Sequence, residues 1–80
     1  MKDYTDLVGT IKKKLSDNGY SNIAQRIEDL QLAGGTHGER FASIVYFLYN
    51  DIRPTENIYR VVANEAVELF SLARELNYLK

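Results

Sequence analysis

Eighty residues make one domain, near the lower size at which a single core holds without staples. With no cysteine there is no disulfide framework and no thiolate metal site, and a single histidine cannot build an imidazole site alone. Ten Lys plus Arg against eleven Asp plus Glu leave a net charge of −1, so no whole-molecule field draws in a nucleic acid or an anionic membrane.

The start, Met1-Lys2-Asp3-Tyr4-Thr5-Asp6, is acidic and leads into no apolar run, so it does not read as a signal peptide and a cytoplasmic protein is the expectation. From residue 3 to 18 the apolar residues Tyr4, Leu7, Val8, Ile11 and Leu15 share one face, which predicts a first helix. Gly19 ends it by accepting a left-handed conformation. Lys12, Lys13 and Lys14 suit the carbonyl end of the helix and fan around it, which predicts a solvated face and no phosphate-binding stripe. Gly9 lies opposite the apolar face, where it marks either a cost or the close approach of a partner.

Ser21 is placed to cap a second helix over 21–32, with Tyr20 packing on its first turn and Ile23, Ala24, Ile27 and Leu30 on its buried face. Two glycines then stop it. Thr36 and Glu39 form an S/T-x-x-E capping box that starts a third helix at His37 and carries it to residue 52. Phe41, Ile44, Val45, Leu48 and Ile52 share its face, widened by Ala42, Tyr46 and Tyr49, so this helix is expected at the centre of the bundle. Its longest uncharged run, Phe41 to Asn50, has ten residues, well short of the ~20 that span a bilayer. A strand through Ile44 to Tyr49 is the competing reading, opposed by the capping box and the lack of a second strand-like run. Phe47 falls off the apolar face, either as an exposed anchor for a partner or as a ring covered by a neighbouring segment.

Arg53-Pro54 predicts an extended step, because the residue before proline avoids the helical region, and Thr55 then caps a fourth helix over 56–79. Ile58, Val62, Leu69, Ala73 and Leu76 centre its face. At 1.5 Å per residue it runs roughly 36 Å and outreaches the bundle, leaving Leu72 to Leu79 to be covered by Tyr4, a second copy or another chain.

Few residues suggest chemistry. Glu65 projects from the apolar arc of the fourth helix, which points to a structural pair with a tyrosine, Arg40 or a helix terminus, to a place at the bundle edge, or less readily to an acid–base group. His37-Gly38-Glu39 shares the His-x-Glu of a zinc deaminase signature but lacks its cysteines, so no metal or cofactor is expected. Gly35, Thr36, His37 and Gly38 at a helix start offer a modest anion site, without the strand and the Gly-Lys-Ser/Thr of a phosphate loop.

Tyr20 with the Ala24, Ile27, Leu30 spacing, then Gly34-Gly35-Thr36-His37-Gly38-Glu39 and an aliphatic-aromatic helix, resembles small α-helical bacterial proteins, some of them immunity proteins that neutralise a toxin. The resemblance covers less than half the chain and implies a binding partner, no reaction and no catalytic residues.

The sequence thus predicts an all-α, up-down bundle of four helices with a longer C-terminal one. Its expected function is protein–protein interaction through Arg40, Tyr46, Phe47, Leu72 and Leu79, with homodimerisation through the last helix compatible with it. The alternatives are an anion or small-ligand site at Gly34 to Glu39 with Tyr46 and Tyr49 lining a pocket, and an enzyme built on Glu65.

Overall fold

The computed structural model describes residues 4–79. Four helices follow one another: α1 (Tyr4–Asp17), α2 (Ser21–Leu32), α3 (His37–Phe47), which continues into a π-helical turn over Leu48–Ile52, and α4 (Glu56–Glu75). No strand occurs among the described residues, and none of their helices is long and apolar enough to cross a membrane. The expected start of the first helix at Asp3 lies outside them.

The all-α bundle predicted from periodicity is what forms, with α4 its longest helix. α1 packs most extensively, against α2 on one side and α4 on the other, while α3 lies against α2 and more lightly against α4. The expectation that the third helix is the most central is therefore corrected. Leu7, Val8, Ile11 and Leu15 give α1 a narrow stripe buried between two neighbours. The apolar width of α3 includes tyrosines, whose hydroxyls keep them at the rim.

No polar or charged residue is fully buried among the described residues, so the core side chains are apolar. Ile11, Leu15, Ile27, Ile44, Leu48 and Leu69 are its largest enclosed side chains. Each contributes about 1.5–3 kcal/mol by leaving water.

The helix ends explain the path of the chain. At the end of α1, Gly19 sits at φ 87, the Tyr20 N–H donates to the Leu15 carbonyl at 2.8 Å and the Gly19 N–H to Ser16 at 3.2 Å. That is a Schellman closure. Asn77, at φ 66, does the same for α4: the Tyr78 N–H donates to Ala73 at 2.8 Å and the Asn77 N–H to Arg74 at 3.1 Å. So α4 stops at Glu75, not at residue 79. It spans about 30 Å, matching the 31 Å long axis of the molecule, and does not outreach the bundle. Tyr78 turns back with its ring edge-on to Phe41 at 5.6 Å, next to Tyr4, which lies 4.8 Å from both Phe41 and His37. Asparagine is the commonest non-glycine residue in this conformation, and its short polar side chain is the reason.

Three further local expectations are corrected. Tyr20, not Ser21, holds the N-cap position of α2, and no side chain caps that end. Thr55 stands at the N-cap of α4, but its hydroxyl donates backwards to the Asp51 carbonyl at 3.1 Å. Arg53, before the proline, is helical at φ −53, ψ −42, and the chain leaves the helix at Thr55 instead. What holds Arg53 there is its N–H on the Leu48 carbonyl at 2.7 Å, the wide bond of a π turn, and its guanidinium 4.0 Å over the Tyr49 ring. The Thr36–Glu39 capping box forms in full.

Two glycines predict opposite responses to one substitution. Gly9 is helical with open space around it, so Gly9→Ala is expected to raise stability by about 1 kcal/mol. Gly19 is also in open space but in the left-handed region, so Gly19→Ala is expected to lower it by about 1–2 kcal/mol. Thermal unfolding followed by circular dichroism reads both, at roughly 4–8 °C per kcal/mol for a domain of this size.

Candidate functional site

The glycine loop before α3 spends its polar groups on itself. The Thr36 hydroxyl accepts from the Glu39 N–H at 3.1 Å, and the Thr36 N–H donates to Glu39 Oε1 at 3.3 Å. Gly35 takes φ 112, and Arg40 Nη1 donates to its carbonyl at 3.1 Å. Gly38 leaves room for a neighbour: a methyl there would stand 2.6 Å from the Tyr78 hydroxyl oxygen, so that ring would have to shift. His37 is exposed and lies against Tyr4. Gly35, Thr36, His37 and Gly38 are thus brought together with a carboxylate among them. Tyr46 and Tyr49 lie farther along α3, roughly 15–20 Å from Thr36, so the tyrosines and the loop do not line one pocket.

Glu65 pairs with a residue the sequence did not suggest. Lys14 Nζ donates to Glu65 Oε2 at 2.8 Å across the α1–α4 contact, with the glutamate side chain 16% exposed. Its Oε1 is buried and has no hydrogen-bond partner among the described residues. Lys12 reaches the other way, to Gln31 Oε1 at 2.6 Å and Glu28 Oε2 at 3.5 Å on α2. The lysine run is therefore not simply a solvated face. Its fan around the helix lets Lys12 and Lys14 clamp α1 to both neighbours, leaving the exposed Lys13 between them. An open groove between α1 and α2 is lined by Lys12, Lys13, Ser16, Ser21, Gln25 and Glu28, and its inner cation, Lys12, is the one already paired.

Of the residues expected to meet a partner, Phe47, Leu72 and Leu79 are half-buried and packed against the core, and Arg40 is half-buried and tied to the glycine loop. Tyr46 differs. The chain has six tyrosines; Tyr4, Tyr20, Tyr49, Tyr59 and Tyr78 rest on the edge of the core, and Tyr46 alone is exposed, at 44%. Among the described residues Val67, at 53%, is a further exposed large apolar side chain, with Leu32 and Leu76.

Tyr46 and Val67 are related by the geometry of the helix pair. The rings of Tyr49 and Phe70 meet edge-on at 5.3 Å and mark where α3 and its π turn face α4. Tyr46 stands three residues before Tyr49, and Val67 three before Phe70. A three-residue step moves each roughly 60° farther round its helix, away from the core and on the side of the partner helix. Because α3 and α4 run antiparallel, the two flank the ring contact from opposite ends. Arg53, over the Tyr49 ring, completes a surface of tyrosine, valine and arginine. Reading Val67 or Arg53 from sequence alone was out of reach: one looks like a stray apolar residue on a polar face, the other like the residue before a proline. The i, i+3 relation to two aromatics is the signal, and it needs the Tyr49–Phe70 pairing to be known.

Lys14→Ala is expected to destabilise the protein by about 1–2 kcal/mol, since it strands a largely buried carboxylate. Lys14→Met with Glu65→Met together should restore the wild-type value or exceed it, because an apolar pair fills the same space with no charge to desolvate. Phe47→Ala and Leu72→Ala are expected to lose about 1–3 kcal/mol each, as core-edge residues do. Urea unfolding measures all four variants. No protein-family model, curated protein or solved structure matches this chain.

Proposed function

We propose that this is a protein-binding module whose contact surface is the outer face of α3 and α4, and that it works without catalysis. One observation carries the reading: Tyr46 and Val67, each exposed, flank a single aromatic contact on two adjacent helices. Two exposed apolar residues thus flank one contact on adjacent helices, whereas isolated exposed residues are ordinary on any surface. Tyrosine and arginine are also the residue types that most often anchor interfaces, because they bury large area with few torsions to freeze. A toxin-neutralising role, which the bacterial resemblance implies, is one form of such binding.

Homodimerisation through the end of α4 is the second reading, favoured by Leu76, exposed at 44% beside the turn at Asn77. An anion site at the glycine loop ranks lower, because the Glu39 carboxylate occupies the Thr36 N–H and repels negative charge there.

Tyr46→Ala and Val67→Asp are both surface changes and are expected to leave helix content and the unfolding midpoint near wild type while removing a stoichiometric partner from affinity captures in the native host. Analytical ultracentrifugation of the same proteins separates the two readings, since only Leu76→Asp should shift a self-association. Recovery of an identical partner set with both α3–α4 variants would sink the proposal.

A further inference from the structure

We propose that Asn18-Gly19, at the end of α1, is a site of spontaneous covalent modification, deamidation through a cyclic imide, gated by the Schellman closure built around it. Among the six asparagines of the chain, Asn18 alone is followed by glycine. Asparagine is thermolabile because the backbone nitrogen of the next residue attacks its side-chain carbonyl carbon, and glycine leaves that nitrogen uncrowded. Both residues are exposed, and apart from the chain neighbours of Gly19 no atom lies within 4 Å of a Cβ built there. The fold requires the pair for another reason. Gly19 supplies φ 87, and Asn18 Nδ2 donates to the Lys14 carbonyl at 2.7 Å, satisfying one of the carbonyls left over at the end of a helix.

The reaction takes in one water and gives out one ammonia, with no change of oxidation state. The Gly19 nitrogen loses its proton to solvent as it bonds to Asn18 Cγ, and Nδ2 departs as ammonia. Water then opens the five-membered ring at one of its two carbonyls. Opening at Cγ leaves aspartate at position 18, and opening at the backbone carbonyl leaves isoaspartate, with the chain routed through Cβ and Cγ. The closed turn opposes the first step twice. Ser16 holds the Gly19 N–H on its carbonyl at 3.2 Å, and the Lys14 carbonyl draws the carboxamide back along α1, away from the attacking nitrogen. The reaction therefore proceeds from the opened turn, at a rate set by how often these two bonds are broken together. Neither product restores the closure. A carboxylate has no N–H for the Lys14 carbonyl and stands, beside Asp17, at the negative end of the helix dipole. Isoaspartate lengthens the backbone by one carbon, so the Gly19 and Tyr20 N–H groups no longer both meet the Ser16 and Leu15 carbonyls.

The test incubates the full chain, folded and in guanidinium chloride, in mildly alkaline buffer. Peptide mass spectrometry follows the replacement of NH2 by OH at Asn18, with fragmentation that separates aspartate from isoaspartate. The folded chain is expected to convert at Asn18 before any other asparagine, and about ten- to fifty-fold more slowly than the unfolded chain, as for a turn that opens locally at little cost. Phe47→Ala weakens the fold away from the turn and should leave the folded rate within about two-fold of wild type. Gly19→Ala should convert more slowly than wild type even in guanidinium chloride, where no fold intervenes. Asn18→Asp, which carries one product directly, should lower the thermal midpoint by about 2–6 °C. Equal rates in the folded and unfolded chains overturn the gate. A folded chain still intact at Asn18 after about fifty half-times of the unfolded chain overturns the site. A rate raised about ten-fold or more in Phe47→Ala assigns the reaction to global unfolding and overturns the role of the turn. A wild-type midpoint in Asn18→Asp overturns the loss of closure in the aspartate product.

Discussion

Enclosure of aliphatic side chains where α1 meets α2 and α4 is the interaction on which the other elements depend. Helices of 11 to 20 residues are marginal by themselves in water, and α2 buries only Ala24 and Ile27. It persists because Val8, Ile11 and Leu15 offer it a surface that is already dry. Among the described residues every fully buried one is apolar and only the Glu65 carboxylate reaches in from the edge, so no hydrogen-bond network chooses among packings. Shape does that, and the local closures at Gly19, Thr36 and Asn77 fix where each helix begins or ends.

Charge works at the seams of this core. Lys12 and Lys14 leave one helix for opposite neighbours, and the second of them reaches a carboxylate that the apolar face of α4 would otherwise hold alone. Both pairs keep some water contact, so their worth lies more in setting the register of α1 between its neighbours than in raw stability. At the pole where α1 and α3 begin and α4 ends, Tyr4, His37, Phe41 and Tyr78 close the core with ring edges. Gly38 is part of that closure because it leaves space for the Tyr78 hydroxyl.

The opposite end of α3 is organised differently. A π turn admits one more residue into the helix before Pro54, keeps Leu48 and Ile52 both buried, and sets Arg53 on Tyr49. The aromatic pair Tyr49 and Phe70 then spaces α3 from α4, the lighter of the helix contacts. The α1–α2 and α1–α4 seams, by contrast, are closed by closely packed side chains and by ion pairs.

The sequence by itself determined the helices, their start at the capping box, the stop at Gly19 and nearly all of the core, because a 3.6-residue period and a left-handed glycine act within one or two turns. Tertiary structure decided the rest. Asn77 ends α4 because Tyr78 gains Phe41 as a neighbour, a contact between residues far apart in the chain. Arg53 stays helical before a proline because a π turn and the Tyr49 ring hold it. Phe47, Leu72 and Leu79 are core-edge residues and Tyr46 is exposed, although all four are apolar or aromatic and lie near a helix flank. Periodicity gives the angle of a residue around its own helix, but exposure at the flanks depends on where the next helix lies, and only the packed bundle sets that.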